Sequence, residues 1–166
     1  MWPFRKGLDL RGYGFKTDQR GNASFDFTDE ERREIDSLFR VFEKMAIHKD
    51  YVDAVQRATT ARALSQYAKG QIELCELESK RSDRSKMIAK AVSACFKACN
   101  IYPLPIFDYD LACLLEMAGE SAQADAMFRK FLAEQATFKP GQIDEMFLKE
   151  RDIEAAIRDA RARVGA

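Results

Sequence analysis

Four thiols and one imidazole are the side chains best suited to chemistry in this chain: Cys75, Cys95, Cys99 and Cys113, with His48 as the single histidine. Cys95 and Cys99 stand four apart and share one helix face, so with Cys75 and Cys113 they outline a thiolate metal site or a redox sensor. Against that, all four lie among apolar neighbours in helical patterns. A thiol in such a place fills space as a small hydrophobe in a reducing compartment. The packing role is preferred, and no metal, disulfide or cofactor is expected. His48 sits in the polar run His48-Lys49-Asp50 with no cysteine or carboxylate at catalytic spacing, which suits a surface residue. There is no glycine-rich phosphate loop, no paired His-Glu helix motif and no nucleophile elbow. The chain is expected not to be an enzyme.

The elements that position these residues follow from composition and period. A chain of 166 residues that is 46% hydrophobic can bury a core without disulfides or metals, so one domain is expected. Lys and Arg together number 27, as do Asp and Glu, and this balance leaves no basic field to attract nucleic acid. No run approaches eighteen apolar residues, and the opening Met1-Trp2-Pro3-Phe4-Arg5-Lys6-Gly7 leads into no signal-like apolar stretch. A cytoplasmic protein without a transmembrane segment is expected.

Residues 1–27 hold Gly12, Gly14 and Gly21 with scattered aromatics and show no helical period, so they are expected to form an irregular arm. A single all-helical domain is expected over 28–166. Thr28 and Glu31 have capping-box spacing, and Ile35, Leu38, Phe39, Phe42, Met45 and Ala46 then draw one apolar stripe. A long pattern runs from Tyr51 to Leu77. The polar run Ser79–Ser85 reads as a loop in which Ser82 or Asp83 caps a third helix, and Pro103 and Pro105 end that helix. A fourth helix carries Tyr109 to Met117, Gly119 turns the chain, and a fifth carries Ala122 to Leu132. After Pro140-Gly141 one last capping helix is expected over about 142–164.

Superimposing the third helix on the fifth pairs Ala91 with Ala124 and Ala98 with Phe131, a shift of 33 residues. The stretch from Leu111 to Gly119, continued through Ala124 and Phe128, resembles the end of the first helix, the turn and the second helix of a tetratricopeptide repeat, whose period is about 34 residues. Repeat-like hairpins are placed at about 61–103 and 105–138. The match has departures. No Trp opens either repeat, Asp108 stands where an aromatic is common, Phe131 replaces a small residue, and the hairpin containing Tyr67 and Ala68 is longer than the consensus. An unrelated antiparallel bundle is the alternative. The resemblance implies an all-α fold of antiparallel hairpins stacked as a short right-handed superhelix, with Ala112 and Ala124 at the close approach of two helices and Phe128 beside them.

The resemblance also implies a concave groove lined by Ile106, Tyr109, Cys113, Glu116 and Met117, together with Arg62, Ser65 and Lys69. The competing expectation is that some of these pack against a terminal helix. The expected function is a small adaptor or scaffold that binds a protein or peptide in that groove, as a monomer or homodimer. A dedicated chaperone of the secretion type, dimeric through the first apolar stripe, is the alternative, and the cysteine-based sensor is a third reading. The arm mixes Trp2, Phe4, Tyr13 and Phe15 with Arg5, Lys6, Arg11, Lys16 and Arg20, a composition suited to peripheral membrane contact. A self-packed or solvated tail is preferred for it.

Overall fold

A computed structural model describes residues 8–20, 22–42 and 52–166. His48, Met45, Ala46 and the aromatic and basic residues of positions 1–7 lie outside them. The described chain is all-helical apart from one small hairpin, β1 (Phe15–Thr17) paired antiparallel with β2 (Ala23–Phe25), Phe15 opposite Phe25. The expected irregular arm is therefore ordered over this stretch. Its alternation is only three residues per strand, too short to be read from sequence. Two local devices make it. Asp18 Oδ1 accepts from the backbone N–H groups of Arg20 and Asn22, both at 2.8 Å, which shapes the turn. Gly14 has φ +84°, and a Cβ there would lie 2.0 Å from the Asp26 carbonyl oxygen.

The helices are α1 (Asp29–Phe42), α2 (Val52–Leu77), α3 (Arg81–Ile101), α4 (Pro105–Met117), α5 (Ser121–Gln135), α6 (Gln142–Leu148) and α7 (Ile153–Val164). The capping box opens α1 as its spacing predicts: Thr28 N–H donates to Glu31 Oε1 at 2.8 Å, and Glu31 N–H donates to Thr28 Oγ1 at 3.2 Å. Of the α1 stripe, Ile35 is buried and Leu38 and Phe39 are half-buried against the core.

Neither Ser82 nor Asp83 caps α3. The Lys80 carbonyl already accepts from Arg84 N–H at 3.0 Å, so the first turn starts earlier and the expected loop shrinks. Pro105 opens α4 at its first turn, where a missing N–H costs nothing. Gly119, at φ +80°, makes the reversal into α5. The expected single capping helix is two helices. Asp152 Oδ1 accepts from Ala155 N–H at 2.9 Å and starts α7 afresh, so the chain bends at 149–152.

Each of α2 to α5 packs on its chain neighbour, α1 packs on α2, α7 on α5 and α4, and α6 returns to α2. Pairs such as Cys75 with Arg84 and Asp108 with Lys130 make α2/α3 and α4/α5 antiparallel. Small residues let the backbones close up: Ala61 and Ala68 of α2 and Ala91, Ala94 and Ala98 of α3 are all buried. Ala112, Ala124 and Phe128 are buried in the same core. Arm and bundle meet at Lys97 of α3, which is 0% exposed. Its Nζ donates to Glu31 Oε1 and to the Tyr13 carbonyl, both at 2.6 Å, and lies 5.2 Å from the centre of the Phe15 ring.

Candidate functional site, a groove between α2 and α4

Because α3 lies behind both α2 and α4, the two outer helices leave a trough between them with α3 as its floor. The trough is a cavity of about 530 Å³. Its apolar lining comes from Ala68 and Ile72 of α2, Cys95 of α3, and Phe107, Leu114 and Met117 of α4. Arg62, Ser65, Gln66 and Lys69 add a polar edge along α2. Met117 is 46% exposed where it lines the cavity, an unusual position for a flexible apolar side chain.

One end is closed by α6, which contributes Phe147, and by the bend that follows it, which contributes Glu150 and Arg151. Arg151 binds Asp110 of α4 through both guanidinium branches, Nη2 at 2.6 Å and Nη1 at 3.0 Å. Burial pushes the Asp110 carboxyl up against the opposing pull of Arg151. The Arg62 guanidinium lies 5.3 Å from the centre of the Phe147 ring, and its Nη2 is 3.5 Å from Glu150.

Of the eight residues expected in the groove, Arg62, Ser65, Lys69, Cys113 and Met117 line this cavity. Ile106 does not, since it is buried in the core at the start of α4. Tyr109 and Glu116 face the other way. The Tyr109 ring packs 5.9 Å from Phe128 and 5.4 Å from Phe131, and its hydroxyl donates to Asp159 of α7 at 2.8 Å. Glu116 pairs with Arg163 of α7. The competing expectation of packing against the last helix therefore describes these two. The inward face of α4 is Phe107, Asp110, Cys113, Leu114 and Met117, rotated from the face the resemblance implies. The spacing of 107, 110, 114 and 117 is itself a helical stripe, and it is the signal that could have found Asp110. Arg151 left no such signal, because its partner is 41 residues away.

The thiols do not converge on a metal. Among the described residues no three of His, Cys, Asp and Glu could hold an ion together. A hydrogen bond with Cys99, then burial, holds the Cys95 thiol well above its usual range, and burial pushes Cys113 up to about 11. Both stay protonated at neutral pH, unlike ligating or nucleophilic thiolates. No helix among the described residues is long and apolar enough to cross a membrane.

No family model, no curated protein and no solved structure matches this chain.

Proposed function

We propose that the chain is a non-enzymatic interaction module that presents the α2/α4 groove to an extended or helical segment of another protein. The observation that carries this reading is the groove itself. A cavity of about 530 Å³ with an apolar floor, a polar edge and a half-exposed methionine in its lining is built to bury side chains from elsewhere. We further read the α2/α3 and α4/α5 hairpins as tetratricopeptide-like units stacked into a short right-handed superhelix. In support, Ala112, Ala124 and Phe128 share one core, and the outer helices α2 and α4 flank the trough as first helices of such units do. The chaperone reading gains nothing comparable, since Ile35, Leu38 and Phe39 of its dimer stripe already pack within the chain.

The test is affinity purification from the source organism with three baits: wild type, Met117→Ala with Lys69→Glu, and Val41→Ala. Val41 is exposed on α1, away from the groove lining. A partner lost with the groove variant and kept with the α1 variant supports the reading. Partners retained equally by all three baits would remove the groove from consideration.

A further inference from the structure

The closed end of the groove is closed by the chain itself, and the way it is closed describes a ligand. Phe147 is the buried residue of α6, seated beside Arg62 of α2. Four residues later Arg151 spans to α4 and takes both oxygens of Asp110. An aromatic group on one wall and an arginine on the other thus bridge the trough.

We propose that residues 142–152 are an internal pseudo-ligand, and that the groove's partner is a protein segment carrying the same two groups, an aromatic side chain followed four residues later by an arginine, which displaces them. This rests on the groove reading above and gives its partner a chemistry. Charge complementarity selects the arginine. Asp110 sits in an apolar wall, where a carboxylate without a cation is costly, so whatever lifts Arg151 away must bring a bidentate cation of its own. The aromatic is selected by the Arg62 face that Phe147 now covers.

The crossing is also suited to leaving. α6 has seven residues, too few to hold helical form without its packing. Besides the packing of Leu148 on the core, its ties include a hydrogen bond from the Tyr102 hydroxyl to Asp144 and an ion pair between half-buried Arg62 and largely exposed Glu150. The cavity beneath it stays open.

A tethered segment competes at an effective concentration in the range of about millimolar, so the same segment supplied in trans is excluded until the tether's own anchors are removed. The probe is a fluorescein-labelled peptide of residues 142–152, titrated by anisotropy into the full chain. A Phe147→Ala, Arg151→Ala host is expected to bind it at least about tenfold more tightly than wild type. Binding is expected to vanish when the peptide carries Arg151→Ala or the host also carries Asp110→Asn. A helical, folded double-variant host that ignores the peptide, or binds the Arg151→Ala peptide equally well, overturns the proposal. Should that host fail to fold, native-state hydrogen exchange on wild type decides. Amides of 142–148 must open at lower free energy than those of α2 to α5, and equal protection overturns the proposal. If partner capture depends on Met117 and Lys69 while the peptide is ignored, the groove stands and the pseudo-ligand falls. If capture is indifferent to Met117 and Lys69, the groove reading falls first.

Discussion

Replacing Lys97 by methionine tests how the N-terminal hairpin and α1 are joined to the bundle. Lys97 Nζ donates to Glu31 Oε1 and to the Tyr13 carbonyl, both at 2.6 Å. The carbonyl keeps a second donor, the Ser93 hydroxyl at 3.1 Å, so the loss falls mainly on Glu31. That carboxylate is 2% exposed, its Oε2 has no hydrogen-bond partner, and among the described residues its Oε1 would retain only the Thr28 N–H. A buried carboxylate stripped of its cation costs about 3–5 kcal/mol, against a total stability of about 5–15 kcal/mol for a domain. The pair itself is no large net gain: desolvation pulls the Lys97 pKa down even though Glu31 opposes it. Lys97→Met alone should therefore lose about 3–5 kcal/mol, while adding Glu31→Gln should restore about 2 kcal/mol. The restoration comes from removing the orphaned charge while the amide oxygen keeps the cap. Urea unfolding followed by helical circular dichroism measures both. A loss under about 1 kcal/mol for Lys97→Met, or no recovery in the double variant, would refute the reasoning.

Three further outcomes follow from particular contacts. Phe128 is 1% exposed and packs edge-on to Tyr109, so Phe128→Ala should cost about 3–5 kcal/mol in the same assay. Gly14→Ala drives a Cβ against the Asp26 carbonyl and strains a backbone at φ +84°; it should cost about 1–3 kcal/mol and release the β1/β2 amides to hydrogen exchange while α3 to α5 stay protected. Burial raises the Asp108 carboxyl from 3.8 to about 6, with Lys130 opposing and Glu134 reinforcing the shift. The folded state then holds this proton more firmly than the unfolded chain. The stability it contributes is full below pH 3.8 and is lost as pH rises through about 6, amounting to about 2–3 kcal/mol. Melting temperatures of wild type and Asp108→Asn should diverge between pH 4 and 7, with wild type showing the steeper fall as pH rises, and parallel curves would contradict the assignment.

Much of the architecture was legible along the chain because it is governed by near neighbours. Thr28 and Glu31 announce a helix start three residues apart, Gly119 announces a reversal through its own φ, and apolar residues three and four apart mark α2 to α5 as helices with one buried face. The cysteines' apolar company pointed to all four as packing residues; Cys75 and Cys95 are buried, whereas Cys99 and Cys113 are only half-buried and Cys113 lines the groove. The groove's α2 edge at Arg62, Ser65 and Lys69 was placed only by the family resemblance, and these three residues do line the cavity.

What lay beyond reach depends on partners distant in sequence. Which side of α4 faces the groove is settled by where α7 docks, so Tyr109 and Glu116 went to Asp159 and Arg163 while Asp110 turned inward to Arg151. Lys97 reads as a solvated charge until α1 and the hairpin fold over it from 66 and 84 residues away. Asp152 resembles any acidic residue on a charged helix until the chain bends there and its carboxylate takes the Ala155 N–H. Local spacing carries information about turns, caps and amphipathic faces because those energies are paid within a few residues. The pairing of faces is a contest among all the surfaces of the chain, and it is decided only when they are brought together.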